Sequence, residues 1–269
     1  MEKELIIKRS PAGSDPDVRA IYRLKQEIEA GYGVKVHINK KCSTYWGRYN
    51  LAVDNKRLLT FMQMMHEEIR KYPVDFFRKS RAENICIGEN LSVNGITVAA
   101  MPAPENNIVI YSLARDVKST PLVPYKMPYM RTVFHHELFH NTDYVVWGKH
   151  YYKWAAWHAL NVPGFTYSRG GVLAYTNPKM VKSSRLEKGF MNKYSQLGME
   201  EDRAEIMEAI MMYPGSKLVI NKCRQDEIIR NKVNLIVKLL DDKIIKQRKW
   251  HIHEVADRCN SGGDIARQD

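Results

Sequence analysis

The chain lacks any apolar run near the roughly 20 residues that a membrane-crossing helix needs, and it has no C-x-x-C pair. Its four cysteines, Cys42, Cys86, Cys223 and Cys259, are scattered. That spacing fits neither a cysteine zinc site nor a disulfide-dense secreted scaffold, so four reduced, mostly structural thiols are expected. There is no internal repeat and no low-complexity stretch, which argues against a repeat array. The start, Met1-Glu-Lys-Glu-Leu-Ile-Ile-Lys8, is acidic at once and holds only a three-residue apolar patch, so it does not read as a signal peptide. A chain whose leader had been removed would look the same. Both a cytoplasmic setting and a secreted or effector role stay open.

What is present is ordinary in bulk. The 269 residues suffice for one large domain or two small ones, and 44% hydrophobic with 27% charged residues suits a soluble globular enzyme. The formal charge of +12 is less ordinary. It favours anionic partners: nucleic acid, an acidic membrane surface, or an acidic protein or peptide substrate. Oligomeric state is not legible.

Along the chain, residues 1–16 read as an extended lead-in with Pro11 and Gly13. A helix is expected from Asp15-Pro16 or Asp17 to about Ala30, stopped by Gly31 and Gly33. Val34–Ile38 alternates and suits a strand. Asp54 can cap a second helix through Leu58, Leu59, Met62, Met65 and Ile69, ending before Pro73; its Met62-Gln-Met-Met65 stretch is packing, not a cofactor box. Strands are expected at Asn84–Gly88, Ile96–Met101 and Asn107–Leu113, the last two as a hairpin. A helix over about Pro128–Asn141 carries a histidine cluster, and residues 143–190 are left irregular. Further helices are expected at Met199–Met212 and from Asp226 to about Lys249. The fold class is α+β, strands early and helices late. Three regions are expected within one compact unit: 1–83 packed on a core of 84–214, and a basic helix and tail at 215–269.

The informative segment is His136-Glu137-Leu138-Phe139-His140. Histidines four apart on a helix stand about 40° apart around the axis, one turn above the other, so both imidazoles can reach one metal ion. Glu137 comes beside that ion rather than onto it, placed to take a proton from a water the metal activates. An H-E-x-x-H match fixes only three positions and arises by chance. Val133, Phe134, Leu138 and Phe139 make this helix largely buried, however, and buried histidines with a glutamate are costly without compensation. One zinc ion is the expected compensation. His135 lies about 100° from His136 and cannot share that face; packing or a hydrogen bond is its expected role.

A catalytic zinc takes three protein ligands and leaves a position for water. The long metzincin signature is excluded, because Asp143 and Val146 stand where it needs glycine and histidine. His150, His158 and Asp143 are possible third ligands, although Asp143 better suits capping or orienting. The better candidate is Glu201 in Met199-Glu-Glu-Asp-Arg-Ala-Glu205. Glu205 lies on the same helical face, where it could accept the N–H of a ligating histidine. A solvated acidic face is the competing reading, against which stand Ala204 and the apolar turns Ile206-Met207 and Ile210-Met211.

Taken together, Phe134-His-His-Glu-Leu-Phe-His140, Trp157-His-Ala-Leu-Asn-Val-Pro-Gly-Phe-Thr-Tyr167, Tyr194-Ser195 and Glu201-Asp-Arg-Ala-Glu205 resemble bacterial zinc-binding metallopeptidases of the gluzincin type. These are related to the catalytic domain of anthrax lethal factor and to Pro-Pro endopeptidases. The resemblance covers roughly residues 84–212 and implies a zincin-like fold. It also implies that Tyr194, seven residues before Glu201, helps hold the carbonyl oxygen during attack, and that Glu205 supports the site. The N-terminal third and the basic helix after Asp226 fall outside it. Lys179–Lys188 is this chain's own elaboration, which bears on substrate preference.

The implied activity is a zinc-dependent endopeptidase, with Glu137 as general base and Tyr194 stabilising the oxyanion. Asn107–Leu113 is either an edge against which an extended peptide pairs or an internal strand. Tyr111, Trp157 and Tyr167 could line the site, although aromatics are more often core. A competing function is a basic regulatory or nucleic-acid-associated protein with a secondary zinc site. Lys40-Lys41, Arg78-Lys-Ser-Arg81 and Lys246-Gln-Arg-Lys-Trp250 supply charge for it, but no nucleic-acid motif accompanies them. An inactive zinc fold used for binding would need neither Glu137 nor Tyr194.

Overall fold

A computed structural model of the chain describes residues 15–52, 54–116, 122–150, 153–168, 170–247 and 249–261. Apart from Asp15 and Pro16, the expected extended lead-in lies outside them. The chain divides into two compact units, Met1–Asn141 and Thr142–Asp269.

The first unit opens on α1 (Pro16–Tyr32), β1 (Lys35–His37), β2 (Gly47–Leu51), α2 (Asn55–Ile69) and the short α3 (Phe76–Lys79). Then come β3 (Asn84–Val93), β4 (Ile96–Thr97), β5 (Ala100–Ala103), β6 (Ile108–Ser112), β7 (Ala114–Arg115) and β8 (Val123–Pro124). The last element is α4 (Met127–Trp147), whose residues through Asn141 belong to this unit. The helix starts follow their caps. Asp15 accepts from the Asp17 N–H with Pro16 in the first turn of α1, and Gly33 ends that helix at φ 64°. Asp54 accepts from the Arg57 N–H at the start of α2. Met62, Met64 and Met65 are buried packing residues of α2.

The sheet runs β1-β3-β6-β5, with β2 and β4 also paired to β3. Lys35 pairs with Asn84 and Asn84 with Ile108, both in parallel, whereas Ala100 opposes Tyr111 antiparallel. Central strands covered on both faces, as the parallel pairing of β3 with β1 and β6 favours, read as continuous apolar runs. Ile85, Cys86 and Ile87 accordingly show no exposure, and all five residues of β6 are buried. Strand alternation sends Ile108 and Ile110 to one face, with Cys86, Leu91, Tyr49 and Met101. Tyr111 stands on the other face, its ring 5.6 Å from Phe61 of α2 and 5.5 Å from Phe134 of α4. The expected hairpin exists as β5–β6, while β4 pairs with β3 instead. Asn107–Leu113 is thus an internal strand, its hydrogen bonds taken by β3 and β5, and it offers no edge to a peptide. The sequence reading missed β2, since its one buried residue, Tyr49, makes no alternation.

The second unit takes in the end of α4, then α5 (Ala155–His158), α6 (Val172–Thr176), α7 (Pro178–Ser183), α8 (Met199–Met211), α9 (Leu218–Gln225), α10 (Glu227–Leu239) and α11 (His251–Asn260). Asp226 caps α10 by accepting from the Ile228 N–H. The single long helix expected over Asp226–Lys249 stops early: α10 ends at Leu239, and α11 begins only at His251. Beyond Leu239 the backbone makes a π-helical turn, Leu240–Ile244, and becomes extended at Ile245. No glycine or proline between residues 226 and 249 signals that break. Packing supplies the reason, because the break lets Trp250, Ile252, Val255 and Cys259 all be buried. No helix among the described residues is long and apolar enough to cross a membrane.

The expectation of reduced thiols is overturned. Cys42 is bonded to Cys86 and Cys223 to Cys259, at Cα separations of 6.2 and 5.2 Å. Each unit holds one bridge. Partners 44 and 36 residues apart carry no sequence signature; the fold alone brings them together. Titration of the denatured, unreduced protein should find no reactive thiol. Cys42→Ser/Cys86→Ser and Cys223→Ser/Cys259→Ser should each lower unfolding stability by about 3–4 kcal/mol, measured by denaturant titration.

Candidate metal centre

Helix α4 carries out the placement its spacing implies. The Nε2 atoms of His136 and His140 stand 3.1 Å apart, the rings inclined at 76°, and both residues are buried. Two nitrogens each 2.0–2.1 Å from one tetrahedral zinc would be separated by about 3.3 Å, so the pair fits a shared ion. Glu137 lies between them in sequence and is half-buried.

Contacts within the first unit fix this stretch of helix against the sheet. The Tyr111 hydroxyl donates to the Phe134 carbonyl at 3.0 Å. Asn141 Nδ2 donates to the carbonyls of Arg81 and Ile108. His135, on a different face from the pair, is fully buried. Its Nε2 is 2.6 Å from Glu68 Oε2 and its Nδ1 2.7 Å from the Tyr72 hydroxyl. That is the hydrogen-bonding role expected of it. Glu68 also meets Lys71 at 2.6 Å and the Arg131 guanidinium. Burial alone would raise its carboxyl, but the hydrogen bonds from His135 and Lys71 prevail and hold it at about 2. Burial lowers His135 against the pull of Glu68. Sequence reading missed Glu68, although a glutamate on the stripe Leu58, Phe61, Met62, Met65 was a visible sign that something must pair with it.

The second unit brings together the other expected residues. Glu201 is buried in the first turn of α8, where a negative charge is favoured by the helix dipole. Tyr194 opens a 3-10 turn, Tyr194–Gln196. The Asn192 side chain braces that turn, accepting from the Ser195 N–H, while its Nδ2 donates to Glu205 of α8. The Glu201 carboxylate and the Tyr194 hydroxyl converge on the backbone of Gly171, where an added Cβ would lie under 3.0 Å from both. Gly170 beside it has φ +86° and donates its N–H to the Leu197 carbonyl at 2.7 Å. Neither position tolerates a side chain, one for its backbone angle and the other for lack of space.

Two fully buried ion pairs orient α8. Asp143 receives Arg203 Nε at 2.9 and 2.8 Å and Nη2 at 2.7 Å, so its carboxylate is committed to a guanidinium. Asp202 meets Lys232 Nζ of α10 at 2.7 Å and also accepts from Trp157 Nε1 and the Tyr167 hydroxyl. Burial raises the Asp202 carboxyl and lowers the Lys232 ammonium, each opposed by the other's charge. Trp157 and Tyr167 thus serve this network, and Tyr111 is core. His150 and His158 are exposed, and His158 packs its ring against Tyr167.

No family model and no curated protein matches the chain. Among solved structures, the crystal structure of a putative zinc-binding metallo-peptidase from Bacteroides caccae ATCC 43185 superposes with a TM-score of 0.52 at 17% identity, covering 92% of this chain and 94% of that one. The two share one overall fold; in this chain it is α+β, with a mixed sheet first, a helix bearing His136 and His140, and a helical C-terminal part.

Two outcomes are expected. The Glu68 carboxyl is held below its ordinary 4.5, so the stability it confers is complete above pH 4.5 and is lost as pH falls toward 2, by about 3 kcal/mol in all. Glu68→Gln should flatten the stability profile measured across that range. Gly171→Ala should push Glu201 and Tyr194 aside and lower metal affinity at least tenfold by competition with a chelating dye, a factor typical of losing support for a ligand. Gly31→Ala, in open space on α1, should leave it unchanged.

Proposed function

We propose that this chain is a zinc-dependent endopeptidase. His136, His140 and Glu201 hold one ion, Glu205 supports them, and Glu137 and Tyr194 act on the substrate. The observation that carries the reading is the buried imidazole pair at a spacing suited to a shared ion. Two imidazoles and a carboxylate are a donor set that could hold a metal, and three protein ligands leave a position open for chemistry. The protein of the same fold from Bacteroides caccae is described as a putative zinc-binding metallo-peptidase, which agrees with that reading.

When bound, zinc supplies a Lewis acid that brings the pKa of water down to near neutrality. Glu137 takes a proton from the attacking water and passes it to the leaving amine. The Tyr194 hydroxyl, turned toward the same spot as the Glu201 carboxylate, donates to the oxygen that gains charge on the scissile carbonyl. The substrate is a peptide or protein chain, and the +12 charge favours acidic ones. One disulfide in each unit suits work in an oxidising compartment.

Metal content and peptide cleavage, measured on the same preparations, test these roles. Glu137→Gln should retain zinc and lose about 10²–10⁴-fold in kcat. Tyr194→Phe should retain zinc and lose about 10²–10³-fold. His140→Ala should lose both metal and activity. A Glu137→Gln protein that cleaves at the normal rate would refute the assignment.

A further inference from the structure

The loop between β1 and β2 is built in a way that the peptidase reading does not use. Tyr45 and Trp46 are 86% and 58% exposed, side by side at the tip of a turn closed between Thr44 and Gly47. The Gly47 N–H donates to Thr44 Oγ1 at 3.1 Å, and that hydroxyl donates back to the Gly47 carbonyl at 3.3 Å. The base of the loop is clamped twice. Cys42 is bonded to Cys86 of the central strand, and its N–H donates to the buried Tyr49 hydroxyl at 2.6 Å. Large aromatics are therefore held out in water on a braced support, rather than at the end of a slack segment. Isolated exposed apolar residues need no explanation, but a rigidly presented aromatic tip is a feature of interaction surfaces.

Charge on the loop itself is of one sign, while the exposed Asp116 meets Asn90 through its backbone N–H at 3.1 Å. Lys40, Lys41 and Arg48 are exposed, and among the described residues none of the three is in an ion pair. Residues 38–52 contain no aspartate or glutamate, and neither does the neighbouring turn at residues 92–97. The acidic residue of β3, Glu89, is buried and held by Arg57. A groove beside the tip is lined by Lys41, Arg48, Asn50, Asn90 and Ser92. We propose that this loop docks the protein on an anionic lipid bilayer, with Tyr45 and Trp46 seated at headgroup depth and Lys40, Lys41 and Arg48 on the phosphates.

Tyrosine and tryptophan suit that boundary because each has an apolar body with a polar edge. The two rings are 4.5 Å apart and inclined at 79°. They form no coplanar platform for stacking a sugar or a base, which favours insertion into an interface over glycan or nucleic-acid recognition. One short aromatic tip and three cations give peripheral, reversible attachment rather than anchoring.

Co-sedimentation of the full chain with vesicles tests this independently of any peptidase activity. Binding is expected to phosphatidylcholine vesicles containing about one third phosphatidylglycerol, and not to phosphatidylcholine alone. Lys40→Gln/Lys41→Gln/Arg48→Gln should lower partitioning about 100-fold, at about fivefold per basic residue. Tyr45→Ala/Trp46→Ala should lower it about tenfold. Lys217→Gln/Arg224→Gln/Lys243→Gln removes the same charge from exposed positions elsewhere and should change it by less than about twofold. In the unaltered loop, brominated phosphatidylglycerol should quench tryptophan fluorescence, and Trp46→Phe should remove that component. Wild-type protein that ignores anionic vesicles overturns the proposal. So does equal loss in the two charge triples, which would make the effect one of net charge. Retention on a sulfated polysaccharide without vesicle binding would assign the loop to glycans and likewise overturn it.

Discussion

Burying two imidazoles side by side on one helix is the constraint from which the rest of the first unit follows. The two Nε2 atoms stand 3.1 Å apart, and taking the rings out of water costs free energy that their contacts must offset. The surrounding structure keeps them there by fixing the helix rather than the rings. Tyr111 and Asn141 tie the α4 backbone region to β6, and His135 ties it to Glu68 of α2. Each tie is a buried polar group that would be destabilising if left unmatched, so the helix has one favourable register against the sheet.

The second unit uses the same physics with stronger charges. Asp143–Arg203 and Asp202–Lys232 are ion pairs with almost no solvent contact. Such pairs add little net stability, because desolvation offsets their attraction, but they penalise any arrangement that separates the partners. Both involve residues within two positions of Glu201 on α8. The helix that bears the proposed third ligand is thereby held in a single orientation, and the Gly170–Gly171 backbone closes over the carboxylate where no side chain would fit. Lys232 also shows why the basic C-terminal helix is not merely a solvated face: one of its cations is part of the core.

Reading the sequence succeeded where chemistry is local. The caps Asp15 and Asp54, the helix around His136 and His140, and the start of α8 rest on contacts between near neighbours in sequence. It failed where partners are distant. Cys42 and Cys86 gave no hint of pairing, the break after Leu239 has no glycine or proline to mark it, and β6 could not be told from an edge strand until β5 was seen beside it. Trp157 and Tyr167, candidates for substrate contact, are instead donors to Asp202.

The amino-acid order by itself determined that His136 and His140 stand together on α4, because a helix of 3.6 residues per turn puts positions four apart on one face whatever surrounds them. It likewise set the acidic first turn of α8 and the residue types available for chemistry. Only the tertiary structure decided which buried charge meets which, that all four thiols are oxidised, and that an aromatic, basic turn is held out from the sheet at Tyr45 and Trp46. Those outcomes depend on segments tens of residues apart arriving at one place, and no periodicity within a segment records its distant neighbour.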